Sequence, residues 1–144
     1  MKNYNSILFV ALIALACFSI SCKSSKNASM YSVKKLSNDE IEKSMPIPDD
    51  VNIEDISINK DEMVFIVSYR GCKSQVFDLY WNGSFAKSLP PQATVFLHTD
   101  YKSGGDCNEV ITKRKIVFSI KDLKFASTNE VQINFTKSAF SYKY

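Results

Sequence analysis

Two β-sheets packed face to face, built from short strands, are what this sequence predicts. Three observations lead there. From Val51 onward, apolar side chains recur at every second position in seven or eight short runs, the period of a strand with one buried face. Turn-forming residues separate the runs, as in antiparallel sheets rather than strand–helix–strand units. With 45% hydrophobic and 12% aromatic residues among 144, the chain has apolar mass for one packed core.

The elements follow in order. Ser37-Asn38-Asp39-Glu40 has capping-box spacing, with Ser at the cap and Glu three residues on. Any helix there is short, because Pro46 and Pro48 stop it. Val51 and Ile53, then Ile56 and Ile58, alternate in two phases before the turn Asn59-Lys60-Asp61-Glu62. Residues 63–67 are unbroken apolar and suit a central strand covered on both faces. Over 75–81 one face carries Phe77, Leu79 and Trp81. Asn82-Gly83 predicts a type I′ hairpin, with 84–89 returning as an edge strand that Pro90 and Pro91 end.

Ala93, Val95 and Leu97 then alternate with Thr94, Phe96 and His98. Residues 100–106, with Gly104-Gly105, read as a loop; two carboxylates there suggest calcium, but a plain turn fits better because Lys102 opposes a cation. Residues 110–120 alternate again, placing Thr112 and Arg114 on the face of Ile116 and Phe118. Asp122-Leu123 begins a single turn. Val131, Ile133 and Phe135 form another period-two face, and Phe140, Tyr142 and Tyr144 a last strand that closes the sheet or, if its edge is exposed, accepts a partner strand. Each aromatic otherwise reads as core, Trp81 foremost. The fold class is therefore all-β, an antiparallel β-sandwich of Ig-like two-sheet architecture, with a barrel as the alternative.

The first residues are of another kind. Lys2 supplies a positive start, and residues 7–20 are apolar but for Ser19. That run is shorter than the ~20 residues of a membrane span and has the order of a secretory signal peptide. Ser19-Ile20-Ser21-Cys22 resembles the lipobox of bacterial lipoproteins, in which cleavage leaves an acylated cysteine at the new N-terminus. It departs from the commonest pattern at Ser19, where Leu is usual. Ala14-Leu15-Ala16-Cys17 competes, but cleavage there leaves Phe18 and Ile20 on the mature end, whereas Cys22 begins a polar run. The expected organisation is a leader over 1–21, a flexible tether over 22–48 and a β-domain over 49–144. Lys23 stands where enteric inner-membrane retention signals place Asp, which points to the periplasmic face of the outer membrane, with surface display the alternative.

Cys72 and Cys107 remain, and in an oxidising compartment a disulfide is the first reading. The alternative is a zinc or copper site using Cys72, Cys107, His98 and Asp106, although no C-x-x-C or H-x-x-H spacing supports it.

Gly71-Cys72, Phe77-Asp78-Leu79-Tyr80-Trp81, Ser88-Leu89-Pro90-Pro91-Gln92, Leu97-His98 and Asp106-Cys107 together resemble a family of uncharacterised small bacterial lipoproteins. The similarity extends from about Val51 to the C-terminus. Its members often carry His three residues after the first cysteine, where this chain has Gln75. The resemblance implies an address and a fold rather than a reaction.

Catalytic and cofactor motifs are absent. There is no G-x-S-x-G elbow, and only 4 glycines, none in a phosphate-cradling loop. No carboxylate pair is singled out for glycoside chemistry. A net charge of +3 without a clustered basic stripe argues against nucleic acid. Charge is uneven, with nine acidic and two basic side chains over 37–62 and seven basic and three acidic over 109–144. The two segments make a dipolar surface if they pack apart and compensate if they are neighbours. The sequence thus points to a non-catalytic envelope lipoprotein that contacts the bilayer through Cys22 and an envelope protein or glycan through its domain. An envelope metal-binding protein and an envelope-polymer hydrolase are the alternatives.

Overall fold

The computed structural model describes residues 30–43, 47, 50–71, 75–100 and 110–144. Cys17, Cys22, Cys72, Asp106 and Cys107 lie outside the described residues, as do the leader and the glycine loop. The elements are β1 (Met30–Ser32), β2 (Lys34–Lys35), α1 (Asn38–Lys43), β3 (Val51–Asn59), β4 (Glu62–Arg70), β5 (Phe77–Trp81), β6 (Gln92–Thr99), β7 (Ile111–Ser119), a 3-10 turn (Lys121–Leu123), β8 (Glu130–Phe135) and β9 (Ser138–Lys143). A four-stranded sheet runs β1-β7-β4-β3 and a five-stranded sheet β2-β5-β6-β8-β9. The fold is all-β and sandwich-like, with no closed barrel.

Strand periodicity puts alternate residues on the inner faces. Met63, Phe65, Val67, Ile116 and Phe118 of one sheet meet Phe77, Leu79, Val95, Val131, Ile133 and Phe135 of the other in a single core. Phe65 joins the layers, with its ring edge-on to Phe118 at 5.8 Å in its own sheet and to Phe135 at 5.3 Å across the interface. β4 is the interior strand that its sequence predicts: Val64 on its outer side is also buried, against its register partner Val117. The two phases of β3 are one strand, since a register shift between Ile53 and Asp55 keeps Ile53 and Ile56 both packed on the core.

The pairing is mixed rather than purely antiparallel: β1–β7, β2–β5 and β6–β8 run parallel. Parallel neighbours need a crossover. Between β6 and β8 it is supplied by β7, which lies in the other sheet.

Part of the segment expected as tether is ordered as strands. Met30–Ser32 edges the four-stranded sheet and Lys34–Lys35 the five-stranded one, so one segment spans both layers on the same side. Val33 is buried between them, its N–H donating to the Ser119 carbonyl at 3.3 Å, and Leu36 N–H donates to the Trp81 carbonyl at 3.0 Å. Strands of three and two residues carry no periodicity, which is why composition reads as tether here. The capping box does form. Ser37 N–H donates to Glu40 Oε2 at 2.9 Å, and the Glu40 N–H to Ser37 Oγ at 3.4 Å.

Asn82-Gly83 does not make a two-residue hairpin. Only Gly83 has positive φ, at 74°, and Asn82 Oδ1 accepts the Ser84 N–H at 3.2 Å. Residues 84–89 form no strand; the loop touches the sheet through one bridge, Ala86 with Gln92. Phe85 instead packs on Trp81 and Phe125, with centroids 5.3 and 5.0 Å away. The two-residue turns are Lys60-Asp61 and Thr136-Lys137, entered through Lys60 (φ 53°) and Thr136 (φ 50°).

The last strand is an edge of the five-stranded sheet, and its aromatics pack on the core. Tyr142 is fully buried and its hydroxyl donates to Asp61 Oδ1 at 2.6 Å, while Lys124 Nζ lies 2.9 Å from the same oxygen. The Tyr142 hydroxyl, then Lys124, hold the Asp61 carboxyl below its ordinary range. A carboxyl depressed in the folded state contributes stability that is present above its unfolded pKa of about 3.9 and lost as pH falls through the folded value. Urea midpoints should therefore fall more steeply below about pH 4 in the parent than in Asp61→Asn. Parallel profiles would remove Asp61 as an acid-sensitive latch.

Candidate functional site

The two outer faces of the sandwich differ in chemistry. On the four-stranded sheet the register aligns Ser57, Val64, Val117 and Met30 in one row and Asp55, Ile66 and Lys115 in the next. Aliphatic and ionic groups dominate there. Lys113 pairs with Glu54, whose carboxyl is held low first by that lysine and then by Ser68. This pair and Lys124–Asp61 bring the acidic and basic segments together. At these two pairs the charges of the segments compensate.

The outer face of the five-stranded sheet is aromatic and amide-rich. Even-numbered residues of β5 and β6 point outward together: Asp78 is the register partner of His98, and Tyr80 of Phe96. Lys34 lies beside Tyr80 across the β2–β5 pairing. Its ammonium sits 2.8 Å from Asp78 Oδ2 and 5.9 Å from the Tyr80 ring centroid. That hydrogen bond raises the Lys34 pKa, while burial, then Asp78, raises that of the Tyr80 phenol. The Tyr80 hydroxyl donates to Asp78 Oδ2 at 3.2 Å, and the Tyr80 and His98 rings are 5.9 Å apart. Phe96 leaves 38% of its surface open, and His98 Nδ1 is buried with no hydrogen-bond partner among the described residues.

An amide chain continues the face. Gln132 Nε2 donates to Asn134 Oδ1 at 3.3 Å, and Asn134 Nδ2 donates to Gln92 Oε1 at 3.0 Å. A second surface feature, a shallow cleft of about 400 Å³, lies at the end of the sandwich where Met30, Lys60, Glu62 and Lys121 meet. No aromatic side chain is among the residues that line it.

Of the metal-site candidates Cys72, His98, Asp106 and Cys107, only His98 lies among the described residues, on the outer face beside Asp78 and Tyr80. Among the described residues no group of three His, Cys, Asp or Glu is arranged to hold a metal, and no helix is long and apolar enough to cross a membrane. Gln75, at the position where the resembled family often carries His, is a clamp. Its side chain donates to Thr99 Oγ1 at 3.3 Å and to Asp100, and its carbonyl accepts from Arg114 Nη1. Sequence reasoning missed Tyr80 and Phe96. The available signal was an aromatic in the polar phase of an alternating strand: Tyr80 between Leu79 and Trp81, Phe96 between Val95 and Leu97.

No family model and no curated protein matches this chain. Among solved structures it is similar to a protein of unknown function, DUF1344, from Bacteroides vulgatus, at 12% identity over 80% of this chain and 56% of that one, with a TM-score of 0.53. A NigD-like immunity protein from Bacteroides caccae aligns at 14% identity over 78% of this chain and 58% of that one, with a TM-score of 0.49. The chain thus spans less than two thirds of either structure, and at these identities the first likeness concerns the fold alone.

Proposed function

We propose that this chain is a lipid-anchored, non-catalytic binding module of the bacterial cell envelope, held by Cys22 and presenting the outer face of the five-stranded sheet to its ligand. The observation that carries the reading is the composition of that face: a part-exposed Phe96, a half-buried Tyr80 and a run of amides, on paired strands. Elsewhere, aromatic side chains of the sheets are turned into the core. Exposed aromatic groups flanked by hydrogen-bonding side chains are the usual chemistry of a recognition surface.

The anchor reading is supported by the leader and by the start of the fold. Met30 follows Cys22 by eight residues, so an extended leash spans at most about 29 Å and keeps the domain close to the bilayer. Lys23 favours the periplasmic face of the outer membrane. A Cys72–Cys107 disulfide is supported by the backbone around it. Gly71 N–H donates to the Val110 carbonyl at 3.0 Å, one residue before the first cysteine and three after the second. Closing that loop would contribute about 3–4 kcal/mol in the chain-entropy model.

A photo-cross-linking side chain at position 96 tests the reading in intact cells, with position 115 on the opposite sheet as reference. An adduct at 96, saturating with light dose and missing at 115, is the expected result. Equal adducts at both positions, or none at 96, would remove the face from consideration.

A further inference from the structure

Resting on the binding-module reading, we propose that the ligand of this face is an uncharged saccharide. The charge pattern is the first reason. The charged side chains of the strands on this face are matched in opposite pairs, Lys34 with Asp78 at 2.8 Å and Lys143 with Glu130 at 3.9 Å, so the surface is neutral in a chain of net charge +3. An anionic polymer or nucleic acid needs unpaired cations, and its affinity falls steeply with salt. Among the described residues of the strands on this face none supplies them.

The second reason is the alternation of flat apolar and hydrogen-bonding groups. A pyranose ring has a C–H face that stacks on an aromatic ring and an edge of hydroxyls that both donate and accept. Tyr80 and Phe96 stand side by side on adjacent strands. The linked amides of Gln92 on β6 and of Gln132 and Asn134 on the neighbouring β8 offer both donors and acceptors. His98 Nδ1, without a partner among the described residues, becomes an acceptor for a ligand hydroxyl when the imidazole turns. A peptide strand would instead need an open sheet edge, and a helix an apolar groove; Tyr80, Phe96 and the amides lie on β5, β6 and β8, the interior strands of the sheet.

The test uses the mature lipoprotein in a sugar-free zwitterionic detergent, titrated calorimetrically with galactomannan, xyloglucan, mixed-linkage β-glucan, α-mannan and dextran, and with polygalacturonate as the charged reference. Binding to at least one neutral polysaccharide is expected, changing less than about twofold between roughly 50 and 500 mM NaCl. Phe96→Ala and Tyr80→Ala should each weaken it at least tenfold, and Lys115→Ala should leave it unchanged. The proposal is overturned by no binding to any neutral polymer, by binding only to polygalacturonate, or by binding that survives Phe96→Ala. A protein adduct at position 96 in cells without glycan binding would leave the module reading standing and end the saccharide assignment. No adduct and no binding would end both.

Discussion

Phe65→Ala is expected to lower the unfolding free energy by about 3–5 kcal/mol, the range for emptying a buried phenylalanine site. Phe65 is fully buried in the central strand, and its ring touches Phe118 and Phe135, one from each sheet. Truncation removes contacts within a layer and between layers together. The rims are rigid strands that cannot collapse into the space, which places the loss towards the upper end of the range. Total stabilities of about 5–15 kcal/mol make such a loss a large fraction of the whole. Urea unfolding of parent and variant measures it. Phe96→Ala, on the outer face, should cost far less, and comparable losses for the two would contradict the assignment of inner and outer faces.

Cys22→Ala is expected to abolish acyl incorporation and remove the protein from the outer-membrane fraction, while Cys17→Ala leaves both unchanged. The size of the effect follows from the chains themselves. Each buried methylene contributes about 0.8 kcal/mol, so a single acyl chain holds marginally whereas two or more hold stably. Fractionation after palmitate labelling compares the variants. Retained label in Cys22→Ala with loss in Cys17→Ala would move the anchor, and the length of the leash with it.

The strands legible in the sequence are those long enough to show period two beside a large core. Val131, Ile133 and Phe135, or Phe77, Leu79 and Trp81, define their inner faces unaided, and all six are buried. Even the broken phase of β3 was legible as Ile53 and Ile56, since a bulge is what restores the inward face after an inserted residue. β1 and β2 were not legible, because their order comes from pairing with β7 and β5, far along the chain. Asn82-Gly83 misled for a related reason. Local preference favours a tight hairpin, but the following residues place Phe85 against Trp81 and Phe125, and that tertiary contact outweighs the turn.

The candidate site was the least legible part. Tyr80 and Phe96 look like core aromatics until the register puts both on the outward phase, and Lys34 comes from a segment that reads as tether. Tyr142 ran the other way: its place on a terminal edge strand suggests exposure, but the hydrogen bond to Asp61 on the β3–β4 turn holds it in the core. Side-chain identity gives the alternation; which face meets the other sheet is decided by the partners.

Intact-mass spectrometry of the protein extracted from its native membrane, with and without reductant, tests most directly whether the sandwich works outside the cytoplasm on a lipid foot. The account predicts a chain beginning at Cys22, heavier by its acyl groups, that gains the mass of two hydrogens on reduction as Cys72 and Cys107 separate. A chain that still begins at Met1, with free thiols and no lipid, would contradict it.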